Sequence, residues 1–169
     1  MSCCRFITNL LKLASVPEIK CLKIREDAKY PAKAHTGIFE DAAYDLYLPE
    51  NEDKVRLEAG DHALIGSGLK IIIPDGYWVK FHDRSGLAAK KGISIMGGVI
   101  DSGYTGEWKV ILYNGSGHAQ YIDPGQAMTQ FTLEKINSAD IIPITQEEFD
   151  LEDQKRQRGA AGFGSSDKK

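Results

Sequence analysis

The chain has 169 residues, 42% hydrophobic and 27% charged, with 21 basic against 24 acidic residues and a net charge of −3. This balance excludes a disordered polar chain, and no apolar run approaches the length of a membrane-spanning helix. The slight acidity argues against broad electrostatic binding to nucleic acid, so an anionic ligand needs a local cationic site within what the length predicts to be one domain.

Residues 1–17 read as an N-terminal extension, poorly ordered or a short surface helix, because the apolar stretch from Phe6 to Leu13 is short and interrupted by Thr8 and Asn9. Cys3, Cys4 and Cys21 are odd in number and lack the paired spacing of a zinc site or disulfide framework. They point to a reducing intracellular compartment, cytoplasmic or nuclear, and away from secretion.

From Ile19 to Ile144 short β-branched and aromatic runs alternate with turn signals, the texture of a sandwich or barrel. In GLKIIIPDGYWVKFHD, Leu69, Ile71 and Ile73 alternate up to Pro74-Asp75-Gly76, and Tyr77, Val79 and Phe81 alternate back, which predicts a hairpin with one buried face. SGLAAKKG, residues 85–92, predicts the one helix of this region, with Ser85 as cap and Gly92 as stop. GYTGEWKVILYNGSG repeats the pattern, with Trp108, Val110 and Leu112 on one face and an Asn114-Gly115 turn at its end, and GGVIDSGYTGEWKV reads on its own as a plain hairpin. A further strand pair is expected around Asp123-Pro124-Gly125. QEEFDLEDQKRQ, residues 146–157, has helical composition, yet Phe149 and Leu151 are not at helical spacing, so a solvated arm is expected there.

Three constellations carry potential chemistry. DRSGLAAKKG runs a strand into Arg84, Ser85 and Gly86 at a helix start, which suits phosphate oxygens and equally suits an ordinary capped helix with a surface arginine. In GGVIDSGYTGEW, Gly97 and Gly98 free the main chain to approach a flat ligand. Asp101 there reads either as a partly buried base or as a residue stabilising its own turn. Asp45, between Tyr44 and Leu46, reads on its own as a strand residue facing water. His35, His62, His82 and His118 share no spacing that suggests a metal site or a nucleophilic triad.

In order, DAAYDLY, DRSGLAAKKG, GGVIDSGYTGEW, DPGQAMTQF and RGAAGFGSS resemble the five motifs of the homotrimeric dUTPases. The resemblance implies an all-β, jelly-roll-like barrel with one short helix, spanning residues 18–145, and an arm at 146–169 closing over a neighbouring subunit's site. It implies a homotrimer with shared active sites and magnesium-dependent hydrolysis of dUTP to dUMP and pyrophosphate, limiting dUTP and supplying dUMP for dTTP synthesis. Neither nucleic acid nor membrane is an implied partner.

On the matching positions, Asp101 resembles the general base and Tyr104 the ring that packs under the deoxyribose. Main chain at Gly98, Val99, Ile100 and Lys109 selects uracil, since a fixed peptide that pairs with one pyrimidine edge leaves unpaired polar groups against another. Arg84, Ser85 and Gly86 hold phosphates, Gln130 lies near the α-phosphate and the reacting water, and Ser85 with Gln130 joins Asp101 in the catalytic set. Asp45 resembles the carboxylate that holds Mg2+ through water. In the arm, Phe163 stacks on uracil, Arg158 reaches the γ-phosphate, and Gly164, Ser165 and Ser166 wrap the phosphates. Ala43, Asp83, Met96, Ala127 and Ala161 depart from the usual pattern, Asp83 standing where a proline is common and beside Arg84, with which its carboxylate is able to pair. The same fold also serves dCTP deaminases and bifunctional deaminase/dUTPases, which would place a glutamate in the base-facing hairpin, and a nucleotide-gated interaction protein is a third reading.

Overall fold

The computed structural model describes residues 16–156. Cys3, Cys4 and the expectations for residues 1–15 and 157–169, including Arg158, Phe163, Gly164, Ser165 and Ser166, lie outside the described residues. The chain divides into two compact units, one ending at Ile136 and the other beginning at Asn137.

Among its described residues the first unit contains ten strands: β1 (Lys20–Lys23), β2 (Tyr44–Tyr47), β3 (Val55–Leu57), β4 (His62–Ile72), β5 (Tyr77–His82), β6 (Ile93–Met96), β7 (Val99–Ile100), β8 (Glu107–Asn114), β9 (Gln120–Ile122) and β10 (Ala127–Lys135). Helix α1 (Ser85–Lys91) follows β5. The strands form two four-stranded sheets, in the orders β1-β4-β8-β6 and β2-β10-β5-β7, and a β3-β9 ribbon. This is an all-β, jelly-roll-like fold.

Period-two alternation builds the core as the sequence predicts. Leu69, Ile71 and Ile73, then Val79 and Phe81, then Trp108, Val110 and Leu112 are all buried. Trp108, from the first sheet, meets Phe131 and Phe81, from the second, edge-on at centroid distances of 5.3 and 5.8 Å. Such a contact joins two sheets through aromatic area, each ring contributing about 2 kcal/mol by burial. The indole Nε1 of Trp108 is buried without a hydrogen-bond partner among the described residues.

The expected pairing differs from the observed one. β4 and β5 are not a hairpin: β4 pairs with β1 and β8, whereas β5 pairs with β10 and β7. The Pro74-Asp75-Gly76 turn, closed by the Tyr77 N–H on the Pro74 carbonyl at 3.2 Å, carries the chain from one sheet to the other. The Asp123-Pro124-Gly125 turn likewise joins β9, in the ribbon, to β10, in the second sheet. β7 and β8 are no hairpin either, because β6 pairs with β8 while β7 crosses to β5. Alternation reports which face is buried, and it is blind to which neighbour supplies the hydrogen bonds.

The Asn114-Gly115 turn contains a buried polar node. The Asn114 amide nitrogen donates to the carbonyls of Leu57, Glu58 and His118 at 2.9 to 3.0 Å, and its oxygen accepts the Ser116 N–H and hydroxyl at 2.9 and 2.7 Å.

The second unit holds α2 (Gln146–Asp153), where a solvated arm is expected. It buries none of its residues, so it is solvated and nonetheless helical. A capping box starts it, with the Thr145 hydroxyl accepting the Glu148 N–H and the Glu148 carboxylate accepting the Thr145 N–H. No helix among the described residues is long and apolar enough to cross a membrane.

Candidate functional site

Strands β2, β10 and β5 lie side by side, and their register puts Asp45 opposite Gln130 and Gln130 opposite His82. Directly paired residues share a face. The alternate positions, Leu46, Phe81, Thr129 and Phe131, are buried, so the row Asp45, Gln130, His82 looks outward.

At the end of β5 the chain enters α1 through Asp83 and Arg84. Arg84, and not Ser85, is the cap residue, and no side chain caps this helix start. Its carbonyl receives the N–H groups of Leu87 and Ala88 at 2.9 Å, so the amides of Ser85 and Gly86 have no partner within the helix. Gly92 ends the helix at φ +63°, as predicted, and Leu87 is its buried anchor.

The Arg84 guanidinium forks onto Asp45, Nε to Oδ1 at 3.0 Å and Nη2 to Oδ2 at 3.1 Å, and its Nη1 donates to the Ala127 carbonyl at 3.3 Å. Asp45 is therefore no plain solvent-facing strand residue. Asp83 does not pair with Arg84: its carboxylate accepts the Ile95 N–H at 2.7 Å, while its carbonyl accepts Gln130 Nε2 at 2.7 Å. Asp45, His82, Arg84, Ser85 and Gln130 line a cavity of about 820 Å³. Asp41 lines it too, its carboxyl held below the usual carboxylate range chiefly by the His35 backbone N–H. On the far side of Arg84 a smaller cavity, about 310 Å³, is lined by Ser85, Gly86, Lys90, Lys91, Gln126 and Gln130.

The second cluster lies where β6 leaves the first sheet. Gly97 and Gly98, at φ +72° and +102°, turn the chain across to β5, and the Gly98 carbonyl accepts the Phe81 N–H at 2.8 Å. A Cβ on Gly98 would meet Ile95 Cδ1 at 3.1 Å, so this position requires glycine for both space and backbone. Gly98, Val99, Ile100, Asp101, Tyr104 and Lys109 border a cavity of about 420 Å³ whose other walls include Phe81 and Met96.

Asp101 is exposed, not partly buried, because the chain turns outward directly after β7. Its turn closes through main chain, Tyr104 N–H to the Asp101 carbonyl at 3.0 Å, so the carboxylate is not used by its own turn. The Tyr104 hydroxyl donates to the Glu107 carbonyl at 2.9 Å.

Two residues of this region lie inside the GGVIDSGYTGEW motif without an assigned role. Gly106 lies under the Tyr104 ring, and Glu107 sends its carboxylate to the Gly68 N–H at 2.9 Å, filling the β4 bulge. Lys109 approaches Glu107 only at 3.8 Å. Gly106 is detectable in the sequence solely as a small residue beside an aromatic.

The structure thus brings Asp45, Arg84, Ser85, Gly86 and Gln130 together, and separately Gly98, Val99, Ile100, Asp101, Tyr104 and Lys109. The cavities bordered by the two groups have no lining residue in common. Guanidinium, hydroxyl and amide groups in one, and a flat space edged by main chain and a tyrosine in the other, suit the two ends of a nucleotide; fold and site define a small jelly-roll-like β protein with a split nucleotide-type site.

The dUTPase family model matches residues 30–167. The deoxyuridine 5'-triphosphate nucleotidohydrolase of Debaryomyces hansenii is 40% identical over 146 residues, covering 85% of this chain and 83% of its own length. Among solved structures, a mutant dUTPase of Staphylococcus bacteriophage 80alpha with dUpNHpp superimposes with a TM-score of 0.74 at 22% identity, covering 89% of this chain and 99% of that one. A mutant dUTPase from phage phi11 of S. aureus, solved to show the coordination of a structural Mg(II) ion, gives a TM-score of 0.67 at 22% identity, covering 76% and 97%. The chain belongs to the dUTPase family.

Proposed function

We propose that this chain hydrolyses dUTP to dUMP and pyrophosphate in a homotrimer whose active sites are assembled from different subunits. The observation that carries this reading is the split site: the phosphate-type residues and the base-type residues of one chain border separate cavities. A second copy that sets its Gly98 and Asp101 region against the first copy's Arg84 and Gln130 completes a nucleotide site. Ile141, Ile142 and Ile144, an apolar run largely exposed in the second unit, supports assembly with further chains.

In the completed site the Asp101 carboxylate takes a proton from a water molecule as the water oxygen bonds to the α-phosphorus. The bond from the α-phosphorus to its bridging oxygen breaks, and pyrophosphate leaves. Asp101 is exposed and available in the single chain, and assembly supplies the shielding that a positioned base needs. Tyr104, held by the Glu107 carbonyl, offers its ring to the sugar and leaves no room for a 2′-hydroxyl. Main chain at Gly98 and Lys109 faces the pyrimidine edge. Among the described residues no glutamate lines this cavity, and the carboxylate of Glu107 turns to Gly68, which speaks against ring deamination.

Arg84 and the Ser85 and Gly86 amides receive phosphate oxygens, with Gln130 beside the α-phosphate. Among the described residues no group of three His, Cys, Asp or Glu stands ready to cage a metal. Asp45, which lines the cavity together with Asp41 and Asp83, fits magnesium held through water and substrate phosphates, an ion that sheds its hydration reluctantly. Bound there, the ion supplies charge neutralisation for the phosphates. Asp45 and Arg84, paired to each other in the free chain, exchange that partnership for ligand. Arg158, Phe163, Gly164, Ser165 and Ser166 complete the site as a closing arm that excludes bulk water. Removal of dUTP and supply of dUMP for dTTP synthesis follow from the reaction.

Asp101→Asn tests the assignment. Turnover, read as pyrophosphate release, falls by about 10²-fold or more, while affinity for a non-hydrolysable dUTP analogue stays within about threefold. Surviving turnover would remove Asp101 from the role of base.

A further inference from the structure

Asp83 lines the larger phosphate-side cavity and bonds through its carboxylate to Ile95, the residue before Met96, which borders the base-side cavity. Its backbone is pinned from β10: the Thr129 hydroxyl donates to the preceding His82 carbonyl at 2.7 Å, and Gln130 Nε2 donates to the Asp83 carbonyl at 2.7 Å. From that fixed point its carboxylate crosses from the second sheet to the first and accepts the Ile95 N–H at 2.7 Å. Ile95 is held on its other edge by β8, in register with Leu112. One residue further the chain reaches Met96 and then the positive-φ pair Gly97 and Gly98. The Ile95 side chain also approaches Gly98, where a Cβ would stand 3.1 Å from Cδ1. A shift of Ile95 therefore reaches the main chain that faces the base. On the other side Asp83 is bonded to Arg84, whose guanidinium rests on Asp45.

We infer that Asp83 is a positioning residue, fixing the base-facing turn at Gly97 and Gly98 against the phosphate-facing loop at Arg84 and Ser85; this rests on the dUTP reading above. Proline at this position would offer no side-chain acceptor to Ile95. The bond is exposed to water, so its contribution to stability is small, whereas its direction is strongly defined by the carboxylate charge. Misplacement of a substrate-positioning group by a fraction of an ångström to 1 Å is costly to rate, up to about 10²-fold, without unfolding anything. The role is one of alignment, and it acts on base choice as well as on rate.

The test compares the full-length wild-type protein with Asp83→Ala and Asp83→Asn, measuring kcat and KM for dUTP and dCTP, melting temperature, and hydrogen exchange at the Ile95 amide. Asp83→Ala is expected to lower kcat/KM for dUTP about tenfold and to narrow the dUTP-to-dCTP preference about threefold or more. Its melting temperature stays within about 2 °C of wild type, and Ile95 loses protection. Asp83→Asn retains an acceptor oxygen and stays within about threefold of wild type in every kinetic constant. Wild-type kinetics in Asp83→Ala, an Ile95 amide equally protected in both proteins, or a loss that Asp83→Asn fails to restore would overturn the inference alone. A wild-type protein that releases no pyrophosphate from dUTP would instead overturn the proposed function, and the kinetic role of Asp83 with it.

Discussion

A methyl group added at Gly106 would stand 2.5 Å from the Tyr104 hydroxyl and 2.6 Å from its Cζ. The ring is packed on bare backbone, and its hydroxyl is fixed by the Glu107 carbonyl. Gly106→Ala therefore displaces the ring instead of compressing the contact. Under the proposed placement of Tyr104 beneath the sugar, the expected result is a fall of about tenfold in kcat/KM for dUTP and a smaller dUTP-to-UTP ratio, read by pyrophosphate release with both nucleotides. An unchanged ratio would separate Tyr104 from sugar discrimination. At this scale the motifs single out Asp101, Tyr104, Arg84 and Asp45 as the proposed site side chains, because the chemistry proposed for them is intrinsic to the residue type. They did not reveal the contacts of Gly106 and Glu107 or the direction of the Asp83 carboxylate, since each of these is defined by a neighbour distant in sequence or by the shape of a turn.

At the level of elements, the alternation of Leu69, Ile71, Ile73, Val79 and Phe81 correctly named the buried face of β4 and β5, while the intervening turn suggested a hairpin that is absent. A Pro-Asp-Gly turn reverses the chain whether it returns to the same sheet or crosses to the opposing one, and burial is identical in both cases. Helix α2 was missed for a related reason: with no apolar stripe, its signal is the local capping box of Thr145 and Glu148.

That box makes α2 sensitive to acid. The Thr145 backbone N–H, then its hydroxyl, hold the Glu148 carboxyl below its ordinary value of 4.5. A depressed folded value means that the capping contribution is fully present above the unfolded value and is lost as pH falls through the folded one. Helical Cα chemical shifts of residues 146–153 are expected to be steady at neutral pH and to decline as pH drops below the ordinary glutamate value. Glu148→Gln should flatten that dependence. Shifts that hold unchanged in strong acid would show that the carboxylate does not sustain the helix.

For the molecule as a whole, one chain carries every expected residue of the barrel motifs on ordered strands and turns, yet divides them between the sheet β2-β10-β5-β7 with the start of α1, and the crossing from β6 to β8. A chain designed to act alone has no reason to face a guanidinium fork and a main-chain-edged cavity into separate spaces. The proposed assembly from several copies would resolve this, and base recognition and phosphate handling would then be properties of different subunits in each site. The order of the motifs is readable from sequence, whereas their separation in space becomes visible only once strand pairing is known.

Selective dUTP hydrolysis is tested most directly by parallel measurement of pyrophosphate release from dUTP, UTP, dCTP and dTTP by the purified protein with magnesium. It predicts release from dUTP exceeding that from each of the others by about 10²-fold or more. Comparable release from all four, or ammonia from dCTP in place of pyrophosphate from dUTP, would contradict it.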